Sequence, residues 1–174
     1  MSDHIQLLKE ITVSRRDGNG TLLDSFDLGI VDLQVRYKEA IANESEIAEV
    51  MSLAIALKRT ELEKKLYFDF GGKVLGGVFK GMNYLPTSRG SLLMPKLLGT
   101  YEQEMASVLV DKAKNVESFL DIGCAEGYYV AGIAAKYPRV KSIGVDIDFN
   151  STVLTSILCK INDVEGATFV TQDL

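Results

Sequence analysis

The stretch Phe119-Leu120-Asp121-Ile122-Gly123-Cys124-Ala125-Glu126-Gly127 concentrates more chemistry than any other part of this chain. An apolar run ends in a carboxylate, a loop with two glycines follows, and a helical pattern opens directly after it. Gly123 and Gly127 carry no side chain to block close approach of a ligand to the backbone. The same loop delivers the N-terminal amides of the following helix to that place. Two further carboxylates, Asp146 and Asp173, end the next two apolar runs. Ligands of open parallel sheets bind beyond the carboxyl ends of the strands, where all three acids would stand.

Neighbouring residues are weighed against plainer roles. Cys124 has no histidine to activate it, and a small residue is what a tight loop needs, so it is read as structural. Tyr128 and Tyr129 begin the helix beside the loop; one is expected to contact a ligand while the other packs on the sheet. Asp148 and Asn150 are read as caps of the next helix. The single histidine, His4, lies in a terminal segment without a partner.

The elements that must position these residues follow from periodicity. From Gly99 onward the order is helix, strand, helix, strand, helix, strand, with strands over 116–122, 140–145 and 167–171, which implies a parallel sheet with right-handed crossovers. Thr100 and Gln103 have the spacing of a capping box, and Met105, Val108, Leu109 and Ala113 give that helix an apolar side. Val130, Ile133, Ala134 and Tyr137 repeat at helical spacing before Pro138 stops the next helix. Val153, Ile157, Leu158 and Ile161 do the same for the third. Upstream, Ile47, Val50, Met51, Ala54, Ile55, Leu62 and Leu66 mark a long packing or oligomer helix. Ile5, Leu7, Leu8 and Ile11 form a short amphipathic run, and 16–20 favour a turn. Between 68 and 90, Gly71, Gly72, Gly76, Gly77, Gly81 and Gly90 interrupt apolar residues, as in a hairpin or a glycine-rich connection. The fold class is therefore α/β: a helical N-terminal extension over 1–98, then the first half of a Rossmann-like sheet with flanking helices over 99–174.

The spacing Asp-x-Gly-x-Ala-x-Gly resembles the first motif of class I S-adenosylmethionine (SAM)-dependent methyltransferases. Its loop spacing differs from the Gly-x-Gly-x-x-Gly of dinucleotide enzymes. The resemblance implies SAM as cofactor, bound like S-adenosylhomocysteine (SAH) through Asp121 to Gly127, with Asp121, Gly123, Cys124, Ala125, Gly127 and Tyr128 along its methionine and ribose parts. It implies that Asp146, followed by Ile147, accepts from the ribose hydroxyls and that Asp173 faces the adenine amino group. Ala125 departs from the family's usual glycine and narrows the loop by one methyl group. Residues 90–102 resemble the region before the core in bacterial methyltransferase-like proteins of surface-glycan synthesis, which would bring Lys96 and Tyr101 to the methionine end. The acceptor implied is a small molecule or a glycan-related one. A complete core of this family has seven strands, so the chain is expected to be a truncated front half, inactive alone and open to forming a homodimer. The competing class is a non-catalytic SAM-binding or oligomerisation module. Neither a catalytic base nor an acceptor pocket is named by the residues.

Composition narrows the partners. Acidic residues number 24 against 19 basic ones, with no basic run interleaved with aromatics, so nucleic acid is not an expected partner. The apolar runs are too short for a membrane span and no basic, apolar leader opens the chain, so a cytoplasmic location is expected. Cys124 and Cys159 have no zinc-type spacing and no nearby histidine, so no metal site is expected.

Overall fold

The computed structural model describes residues 15, 16, 22, 23 and 25–173. The amphipathic run at Ile5 to Ile11 and most of the expected turn at 16–20 lie outside them. The described residues form two units, Met1–Asp69 and Phe70–Leu174. The boundary expected between 98 and 99 falls inside the second unit.

The first unit pairs β1 (Arg15–Arg16) antiparallel with β2 (Leu22–Leu23), followed by α1 (Ser25–Ala42) and α2 (Ile47–Asp69). Phe26 of α1 is buried against Tyr67 and Phe68 of α2, at ring distances of 5.7 and 6.2 Å. Lys64 pairs with Asp27 between the same helices. The long helix forms where its periodicity places it, but its buried positions are Leu53, Glu63 and Tyr67. Ile47, Met51, Ile55 and Leu62 stand exposed instead. The aromatic contact at the end of the helix pair sets the rotation of α2, and a four-residue apolar rhythm cannot anticipate that.

In the second unit, α3 (Leu93–Leu98) and α4 (Gln103–Ala113) lead into β3 (Ser118–Ile122), α5 (Tyr128–Lys136), β4 (Lys141–Asp146), α6 (Phe149–Lys160) and β5 (Ala167–Thr171). The three strands form a parallel sheet in the order β3-β4-β5, with Asp121 opposite Gly144 and Asp146 opposite Thr171. Six helices and this sheet make the described residues an α/β, Rossmann-like fold. Val130, Ala131, Gly132, Ile133 and Ala134 are all buried, so α5 is enclosed on every side. Leu120 and Ile122 of β3 and Val170 of β5 remain exposed.

Residues 70–85 do more than connect. Val74 and Gly72 pair with Met82 and Tyr84 around the bridge Lys73–Asn83, giving a rudimentary hairpin. Val74, Phe79, Tyr84 and Leu85 are at most 4% exposed, so this hairpin is part of the core. The side-chain amide of Asn162 accepts from Asn83 N–H and donates to Asn83 O, both at 2.8 Å, clamping the hairpin to the chain just after α6. At 76, 77 and 99 glycine is required by contact: a Cβ on Gly77 would lie 2.1 Å from the Gly99 carbonyl oxygen. Two backbones cross there, tied by Leu75 N–H to Leu97 O at 2.8 Å.

Two expectations for α4 are corrected. Thr100 and Gln103 make no capping box: the N-cap is Glu102, in left-handed conformation and without a side-chain cap. Its buried side is Ala106, Val110 and Ala113, while Met105 and Val108 are exposed. The turn after α3 closes through Thr100 N–H to Pro95 O at 2.9 Å, which commits Thr100 before the helix begins.

Candidate functional site

β3 delivers Asp121 and Ile122 to the carboxyl end of the sheet, and the chain then turns through three left-handed residues, Gly123 (φ 77°), Ala125 (φ 48°) and Gly127 (φ 84°). A Cβ on Gly123 would meet nothing within 4 Å, so this glycine leaves the backbone open to a ligand. Gly127 answers a different need. A Cβ there would lie 2.4 Å from Thr155 Cγ2, so its absence lets α6 close on the loop. Ala125 adopts a conformation that costs an L-residue about 1 kcal/mol or more, and hydrogen bonds hold it there. Its N–H donates to Asp146 Oδ2 at 2.8 Å and its carbonyl accepts from Thr155 Oγ1 at 3.0 Å.

Asp146 also accepts from Asp148 N–H at 2.9 Å, so its two oxygens fasten the loop to the turn after β4. Asp148 caps α6 by accepting from Asn150 N–H at 2.9 Å, as expected. Cys124 is buried, with its sulfur 3.8 Å from Thr155 Oγ1, and burial pushes its thiol up to about 11. A thiol held so far from ionisation is no nucleophile at neutral pH.

The loop's most heavily bonded side chain is Glu126, fully buried. Its Oε1 accepts from Tyr84 OH at 2.7 Å, Ser88 Oγ at 2.8 Å and Lys96 Nζ at 2.5 Å, and its Oε2 from Arg89 N–H at 3.0 Å. Burial alone would raise this carboxyl, but the Lys96 ammonium and the hydrogen bonds outweigh it and hold it below the usual range. Arg89 reaches on to pair with Asp148. Residues 84–96 are thereby fixed against the glycine loop.

What they enclose is a cleft of about 290 Å³, lined by Arg89, Lys96, Tyr101, Glu102, Asp121 and the loop itself, with Tyr128 and Tyr129. Glu102 turns away from the helix it begins and accepts from Tyr129 OH at 2.9 Å. Burial, reinforced by the Glu102 and Asp146 carboxylates, raises Asp121 to about 6. Its carboxylate has no hydrogen bond or ion pair with another described residue. A larger hollow of about 860 Å³ lies at the opposite end of the sheet, beneath the amino ends of β3 and β4, away from all of these groups.

Of the residues singled out from sequence, Tyr101, Asp121, Gly123, Cys124, Ala125 and Tyr128 line the cleft, together with Lys96. Gly127 and Asp146 support the loop from behind. Ile147, 70% exposed, and Asp173, also exposed, flank the ends of β4 and β5 outside the cleft. Both tyrosines at the start of α5 face the cleft and pack on each other at 5.2 Å, so they do not divide the labour expected of them. Glu102, Glu126 and Arg89 had no place in the sequence reading. One signal was legible: Lys96 interrupts the apolar run Leu92 to Leu98, and a lysine buried there requires a counter-charge.

No family model matches the chain, and no curated protein matches it. Among solved structures it is similar to coclaurine N-methyltransferase bound to N-methylheliamine and SAH, at 15% identity and a TM-score of 0.39. The match covers 98% of this chain and 48% of that one, so the chain spans about half the length of the structure it matches.

Proposed function

We propose that this chain is the cofactor-binding part of a SAM-dependent methyltransferase. The observation that carries the proposal is the strand-to-helix turn at Asp121 to Gly127, whose left-handed Gly123 opens onto a cleft beside the Asp121 carboxylate, which makes no hydrogen bond or ion pair with another described residue. SAM would supply a methyl group on a positively charged sulfur, and the acceptor's lone pair would take it. The chain's own part is positioning, which accounts for most of the rate enhancement in a transfer of this kind. Gly123 and Ala125 present backbone to the ligand, Asp121 and Tyr101 border the methionine side, and Tyr128 closes the floor. Asp146 would accept from the ribose hydroxyls through the lone pairs its loop contacts leave free. Ile147 and Asp173 would flank the adenine. The acceptor we favour is a small molecule or a glycan-related one.

Calorimetry with SAH and with NAD tests the assignment; tighter binding of NAD would sink it. Asp146→Ala should weaken SAH binding at least about tenfold, since one hydrogen bond to a charged group is worth about 1.5–3 kcal/mol. An unchanged dissociation constant in a folded variant would remove Asp146 from the ribose.

A second reading, a non-catalytic SAM-binding or oligomerisation module, is favoured by the exposed stripe Ile47, Met51, Ile55 and Leu62 on α2. It requires a dimer in light scattering that Ile55→Glu dissociates.

A further inference from the structure

Three tyrosine rings and two carboxylates meet in the cleft, and the cations that line it are already committed. Tyr101 and Tyr128 pack edge to face at 5.4 Å, Tyr128 and Tyr129 at 5.2 Å. Glu102 and Asp121 share the same walls. Lys96, at 3% side-chain exposure, is neutralised by Glu126, and Arg89 by Asp148. Glu102 and Asp121 therefore form no ion pair among the described lining residues, and the ammonium of Lys96 offsets only part of their charge at Asp121. Burial first, then the Glu102 and Asp146 carboxylates, raise Asp121 to about 6 against the opposing pull of Lys96, as an only partly compensated site would. The rings are suited to supply the rest. Lys96 Nζ already lies 4.7 Å from the centre of the Tyr101 ring and 6.0 Å from that of Tyr128, within the range at which an aromatic face attracts a cation.

We propose that the cleft selects a ligand group with a fixed positive charge, an organic sulfonium or ammonium, over its neutral counterpart. The inference rests on the cofactor reading of the same site and adds what that reading lacks, a preference between ligands that differ in the charge of one centre. Two sources share the chemistry: the sulfonium of SAM, and an amine on the methyl acceptor.

Dissociation constants measured by calorimetry for SAM, for sinefungin, which carries an ammonium in place of the sulfonium, and for SAH separate them. Tetramethylammonium is titrated into the chain with and without SAH by ligand-observed NMR. Binding of SAM and sinefungin at least about tenfold tighter than SAH, a preference lost in Glu102→Gln, supports the proposal with the cofactor as the source. Equal binding of SAM and SAH, with tetramethylammonium bound to the SAH complex and released by Glu102→Gln, supports it with the acceptor as the source. Tyr101→Phe keeps the ring and should keep the preference, whereas Tyr101→Leu should lose it. That pair reports on the rings should Glu102→Gln fail to fold. SAM and SAH bound equally, with no binding of tetramethylammonium, overturns the proposal. If no adenosyl compound binds but tetramethylammonium does, and Glu102→Gln abolishes it, the cofactor reading falls and the charge selectivity stands; if nothing binds, both fall.

Discussion

Asp121 and Glu126 are two buried-side carboxylates five positions apart whose surroundings push them in opposite directions. Burial and two neighbouring acids lift Asp121 from 3.8 to about 6, whereas Lys96 and three further donors hold Glu126 low. The sign of the pH dependence follows. Between about pH 4 and 6 the folded chain holds a proton on Asp121 that the unfolded chain has released, so this residue's contribution to stability falls as pH rises and stays reduced above 6. Asp121→Asn should therefore raise the urea midpoint at pH 7.5 and lose that advantage near pH 4. Equal midpoints for both proteins at pH 7.5 would mean that the carboxylate is not repelled. The acid range also bears on ligand capture: below pH 6 a protonated Asp121 offers a cation less, so binding of SAM should weaken there.

At the scale of elements, one ion pair joins three pieces of chain that no strand or helix connects: α3 through Lys96, residues 84–89, and the glycine loop through Glu126. A buried pair is weak evidence of net stability, because desolvation offsets most of the attraction, but removing one partner strands a charge. Glu126→Gln or Lys96→Met alone should cost about 3–5 kcal/mol, with the double variant recovering much of that loss. Thermal melts of the four proteins measure the cycle, and additive losses would show that the two side chains act independently. Because Glu126 is held low, its stabilisation is complete above its unfolded value and disappears as pH falls through its lower folded one. Acid therefore loosens this clamp only below the ordinary glutamate value, after most of the relief of Asp121 is complete.

At the scale of the whole molecule, the chain carries a formal net charge of −5 and divides at Asp69/Phe70. The second unit has its own sheet and core, including Tyr84, Leu97, Ile133, Leu158 and Ile161, each essentially inaccessible. The junction is a run of exposed residues, Phe68, Asp69 and Phe70, followed by left-handed Gly71 and Gly72. Limited chymotrypsin digestion should cut there first and leave a resistant piece beginning near Gly71. First cuts within 90–174 would show that the second unit is the less stable body. No helix among the described residues is long and apolar enough to cross a membrane.

Local periodicity, turn chemistry and loop spacing were enough to read the alternation from 99 onward, the strands expected over 116–122, 140–145 and 167–171, which form over 118–122, 141–146 and 167–171, the cap at Asp148 and the inert character of Cys124. Each depends on neighbours within a few residues, and local interactions are what a sequence states directly. Which side of a helix is buried was decided elsewhere. α2 and α4 each carry more apolar positions than one contact can cover, and the partner alone chose among them: Phe26 against Tyr67, and the small residues Ala106 and Ala113 on the inner side of α4. Gly76, Gly77 and Gly99 follow the same rule, since Gly77 is required by Gly99, more than twenty positions away. The cleft itself is the clearest case. Glu126 reads from sequence as a loop residue, and only a resemblance brings Lys96 and Tyr101 toward the loop; folding sets Lys96 2.5 Å from Glu126 and adds Glu102 to the same cleft. Spacing along a chain locates a backbone turn and the acid and tyrosines that flank it, but Arg89, Lys96, Tyr101 and Glu102 come from an earlier part of the chain, and only tertiary packing sets their distances to it.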